Sequence, residues 1–69
     1  MTTQTLTNRE KEILFQLAHG RLNKEIGSEL NIHTETVKKH LKNIYYKINA
    51  RNRIEAVQHF IKWQSVGIE

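Results

Sequence analysis

Residues 34–48, TETVKKHLKNIYYKI, carry Lys38, Lys39, Lys42 and Lys47, with Glu35, Asn43 and Tyr46 among them. An ammonium group offers three donors and no acceptor, so a cluster of lysines suits anionic oxygens or acceptor-rich edges. Asn43 adds a donor and an acceptor, and a carboxylate such as Glu35 can accept from an exocyclic amine. The chemistry on offer is non-covalent recognition of an anion. Covalent chemistry has little to work with: there is no cysteine, the only serines are Ser28 and Ser65, and no glycine-rich loop or isolated carboxylate pair is present. The histidines His19, His33, His40 and His59 lack ligand spacing, since His33 and His40 would stand about 10 Å apart along a helix, too far to share one ion. No catalysis, no metal and no cofactor are expected.

For the lysines to act together they must share a face. At about 100° per residue, Leu41, Ile44 and Ile48 fall within about 40° of Val37 and form an apolar seam. Glu35, Lys39, Lys42 and Tyr46 lie opposite, flanked by Lys38 and Asn43. Residues 34–48 are therefore expected to be an amphipathic helix with its seam buried and its basic face in solvent. Tyr45, about 80° from Val37, reads as edge packing, and His40, about 60° away on the other side, as a half-buried packing residue.

Caps and periods place three more helices around this one. Over residues 8–19, Thr7 and Glu10 form a capping box, Ile13, Leu14, Leu17 and Ala18 make an apolar stripe, and Gly20 supplies a left-handed stop. Over 23–30, Asn23 is the expected cap and Ile26 and Leu30 the buried side. Gly27 lies beside them at a cost of about 1 kcal/mol relative to alanine, which points to another helix crossing there. Asn31 suits a turn of positive φ and Ile32 drops into the core. Over 53–64, Asn52 is the cap and Glu55 its capping-box partner, after Asn49 ends the preceding helix. Ala56, Val57 and Phe60 suffice to close the core, which leaves Ile54, Gln58, Ile61 and Ser65 as a second face, expected to meet a partner.

The expected architecture is all-α, a four-helix domain over 6–69 after a flexible lead-in at 1–5. No stretch sustains the period-two alternation of a strand, and there is no proline. A chain of 69 residues buries only about 60% of the surface its unfolded form exposes, so its core is thin. Eleven Lys and Arg against seven Asp and Glu give +4, which favours an anionic partner. The longest apolar run is three residues, as at Ile13 to Phe15, so neither a membrane span nor a signal sequence is expected. Cysteine-free composition suits the cytoplasm.

Two short helices joined by a turn at Asn31, with a lysine-rich second helix, describe a helix-turn-helix whose second helix lies in the major groove of duplex DNA. The stretches LTNREKEIL, NKEIGSELNIHTETVKKHLKNIYYKI and NRIEAV also resemble the LuxR-type helix-turn-helix, the DNA-binding domain shared by LuxR, FixJ, NarL and GerE. The resemblance runs from Leu6 to about Lys62. It implies a bacterial transcription regulator, or the C-terminal DNA-binding domain of one, response-regulator-like, that dimerises through its last helix on a pseudo-palindromic site. It also implies an N-terminal receiver or sensor domain in many longer forms. Three positions depart from the family: His33 stands where a Ser or Thr cap is usual, Gly27 where alanine is, and Asn49 where glycine is. His33 leaves the start of the recognition helix open, with capping passing to Thr34 or weakening.

Position sorts the contacts. Lys39 and Lys42, nearest the centre of the solvent face, are assigned to base edges with Asn43 and Glu35, the last accepting from cytosine N4. Lys24, Thr36, Lys38, Tyr46, Lys47, Arg51 and Arg53 are more peripheral and suit phosphates. Ile54, Gln58, Ile61 and Ser65 are assigned to a homodimer. The competing reading is an interaction module whose last helix binds another protein and whose basic face is incidental. A peripheral membrane binder would need Trp or Phe opposite lysines on one helix, which residues 34–48 lack.

Overall fold

A computed structural model describes residues 6–67, with side chains described through residue 63. The lead-in expected at 1–5 and the Ser65 side chain lie outside the described residues. Four helices, and no strand among the described residues, make up the fold: α1 (Asn8–Ala18), α2 (Asn23–Leu30), α3 (Thr34–Ile48) and α4 (Arg53–Gly67).

Local chemistry accounts for most of the boundaries. At α1, the Glu10 amide donates to Thr7 Oγ1 at 3.1 Å and the Thr7 amide to the Glu10 carboxylate at 2.9 Å, which is the expected capping box. Gly20, at φ 82°, turns the chain after it. Asn31 and Asn49 both take φ 59°, closing α2 and α3 in the left-handed region that Asn tolerates. At α4, the Glu55 amide donates to Asn52 Oδ1 at 2.9 Å, as a cap should, but the Glu55 carboxylate accepts from the Arg51 amide instead of completing a box with Asn52.

Two expectations are corrected. Asn23 is not the cap of α2 but its first residue. Leu22 stands in the cap position with extended backbone, and its amide donates to the Glu25 carboxylate at 2.8 Å. At Gly27 the nearest group is the turn that follows it, ahead of the expected crossing helix, α3. A Cβ there would lie 2.7 Å from the Ile32 carbonyl oxygen, with Val37 Cγ2 of α3 at 3.5 Å. The Ile32 amide in turn donates to the Gly27 carbonyl at 2.8 Å, so the turn closes on the glycine itself.

The core draws Ile13, Leu14 and Leu17 from α1, Ile26 from α2, the whole seam Val37, Leu41, Ile44 and Ile48 from α3, and Ala56 from α4, with Leu6 ahead of α1. Each fully buried aliphatic side chain contributes about 1.5–3 kcal/mol relative to exposure. α1 packs against the other three helices, while α2 and α3 pack on each other across the turn. Val57, Phe60 and Tyr45 close the edges. The result fixes one side of α3 and leaves the other free.

Candidate nucleic-acid interface

The free side of α3 gathers most of the expected contacts. Glu35, Thr36, Lys38, Lys39 and Lys42 line one shallow, open depression. Asn43 is exposed beyond it and Tyr46 is 78% exposed. Lys38 and Glu35 form an ion pair at 3.3 Å, with both side chains mostly in solvent. Exposed pairs of this kind are worth little, about 0–1 kcal/mol, so either group can exchange its partner for a ligand. Among the described residues neither Lys39 nor Lys42 has an ion-pair partner.

α3 starts at Thr34, the boundary expected, with His33 in the cap position and no side-chain capping bond. The His33 carbonyl accepts from the Thr36 and Val37 amides, so the helix begins on backbone bonds alone. Glu35 in the first turn and Lys47 in the last match the helix dipole. His40 is half-buried, in keeping with a packing role, and so is Tyr45, whose hydroxyl burial pushes up in pKa against the opposing Arg53 charge.

The remaining cations divide. Lys24 on α2 and Arg51 between α3 and α4 are exposed. Arg53 is half-buried and donates to the Arg21 carbonyl, tying the start of α4 to the turn after α1. Lys47 is turned inward rather than outward: its Nζ lies 2.9 Å from Glu10 Oε1, with the Lys47 and Glu10 side chains 22% and 6% exposed. Burial alone would raise the Glu10 carboxyl pKa, but the Thr7 amide and the Lys47 ammonium outweigh it and hold the pKa below the ordinary value. Glu10 was legible as a capping residue, but its partner 37 positions away was not.

On α4, Ile54 and Ile61 are 68% and 59% exposed, and Gln58 between them is exposed too. The face expected to meet a partner is therefore bare, and Ser65 falls on its undescribed continuation. Among the described residues no group of three His, Cys, Asp or Glu is placed to hold a metal ion. No described helix is long and apolar enough to cross a membrane.

Comparison with known proteins adds a family. The family model for bacterial regulatory proteins, luxR family, matches residues 4–60. The nitrate/nitrite response regulator protein NarP of Escherichia coli K12 is 46% identical over 83% of this chain and 26% of its own length. The transcriptional regulatory protein LiaR of Bacillus subtilis 168 is 49% identical over 77% of this chain and 25% of its own. The transcriptional regulator MalT of Vibrio cholerae is 43% identical over 81% of this chain but only 6% of its own. The chain thus spans about a quarter or less of the length of these relatives.

Proposed function

The chain belongs to the luxR family of bacterial regulatory proteins, and from that membership we propose that it binds specific duplex DNA sequences with α3 in the major groove. The observation that carries the proposal is the pair Lys39 and Lys42, unpaired among the described residues and held outward by the buried seam beneath them. Lysine donors at that place can reach guanine O6 and N7. Asn43 reads an adjacent base, and Glu35, once released from Lys38, accepts from cytosine N4. Lys24, Thr36, Lys38, Tyr46, Arg51 and the free donors of Arg53 hold the phosphates, which supply most of the affinity.

The bare α4 face, Ile54, Gln58 and Ile61 continuing to Ser65, supports a homodimer on DNA. Two copies related by a two-fold axis would then place two α3 helices about one helical turn apart on a pseudo-palindrome. In a protein of the relatives' length, a receiver or sensor domain would precede this one and supply the signal. Such a regulator works in the bacterial cytoplasm and needs no cofactor.

Dimethyl sulfate footprinting tests the groove. The reagent methylates guanine N7 in the major groove, so a site selected from random duplexes by this chain should show protected guanines under α3. Binding without any N7 protection would reject the major-groove placement.

A further inference from the structure

One cation on α3 does not face solvent. Lys47 sits in its last turn and meets Glu10 of α1 at 2.9 Å, with the carboxylate all but buried. That Glu10 Oε1 also accepts from the Thr7 amide, while Thr7 Oγ1 accepts from the Glu10 amide. The carboxylate cannot swing away without opening the cap of α1. The other end of α3 is held differently, by the turn backbone and without a side-chain cap at His33. The charged tether of α3 thus lies at its C-terminal end, where it joins the first turn of α1.

We propose that Glu10 and Lys47 are positioning residues for DNA reading: their ion pair sets the rotation and height of α3, and through it the aim of Lys39 and Lys42 at base edges. This rests on the DNA-binding reading above. Lys42 lies about 7.5 Å along the helix axis from Lys47, so a helix that rolls at its tethered end carries both base-reading lysines with it. Held by Glu10, Lys47 itself touches no phosphate, in contrast to the role expected from its peripheral position on the helix.

The experiment compares the 69-residue chain with Lys47→Met, Lys47→Arg and Glu10→Gln on two duplexes, one selected from a random pool by the unsubstituted chain and one scrambled. Failure of the unsubstituted chain to select any duplex would count against DNA binding, not against positioning. If the pair positions α3, Lys47→Met and Glu10→Gln lower the ratio of selected to scrambled affinity about tenfold, the worth of one base pair of discrimination. Their salt slopes stay unchanged, and Lys47→Arg retains both properties. Glu10→Gln guards against misfolding of Lys47→Met, since it keeps an acceptor for the cap. A slope shallower by about 0.9 in Lys47→Met with its ratio intact would make Lys47 a phosphate contact and overturn the proposal. So would a fall in melting temperature alone, with both ratio and slope intact in Glu10→Gln.

Discussion

Lys39 and Lys42 differ from the other lysines of α3 by what surrounds them rather than by type. Lys38 has Glu35 at 3.3 Å and Lys47 has Glu10 at 2.9 Å, whereas the two central lysines have no acid partner among the described residues. Lys42→Ala should cost roughly 1–3 kcal/mol on a selected duplex and relax preference at one base pair, as measured on a panel of single-base variants. Lys24→Ala should weaken all of those duplexes equally and make the salt slope shallower by about 0.9. Glu10 carries a pH signature. Its folded pKa lies below the ordinary 4.5, so its contribution is present above about pH 4.5 and is lost as the pH falls through the lowered value. Glu10→Gln should therefore cost about 1–3 kcal/mol near neutral pH, by leaving Lys47 without its charge partner, and converge on the unsubstituted chain in acid. Denaturant unfolding at pH 7 and pH 3 checks this, and an equal deficit at both would refute it.

At the scale of the helices, Gly27 and α4 carry the predictions. Because a Cβ at Gly27 would lie 2.7 Å from backbone rather than from a flexible side-chain end, Gly27→Val should destabilise by about 1–3 kcal/mol in chemical denaturation. Ile61→Glu places a charge on the bare face of α4 and should abolish cooperative binding to paired half-sites while leaving helix content unchanged by circular dichroism. Caps and periods made the helices legible in the sequence because those signals are local: Thr7 with Glu10, the αL residues Asn31 and Asn49, and the seam from Val37 to Ile48 all act within a turn or two. Asn23 misled because two cap-competent arrangements compete within three residues, and the Glu25 return bond to Leu22 decided the start. Lys47 misled for another reason. It counted among the peripheral cations, yet at about 80° from Val37 it sits as close to the seam as Tyr45, and only the tertiary approach of α1 brings Glu10 to it. The exposed face was easier to read, since a lysine far from the seam can go nowhere but outward.

As a whole, the chain of 69 residues carries a net charge of +4, and the organisation of its four helices around a thin core follows from burying one side of α3. Every other helix packs against that buried seam or against α1 beneath it, so that a short, basic surface is left in water. The match to NarP and LiaR spans most of this chain and about a quarter of each of theirs. We propose that this surface, with Lys24, Arg51 and Arg53 beside it, binds duplex DNA. A salt titration of the 69-residue chain on duplex DNA tests it most directly. With Lys24, Lys38, Arg51 and Arg53 on phosphates, log affinity should fall linearly with log salt, with a slope of roughly −3 to −4 per chain. A flat response, or no binding at low salt, would rule out DNA as the partner of this surface.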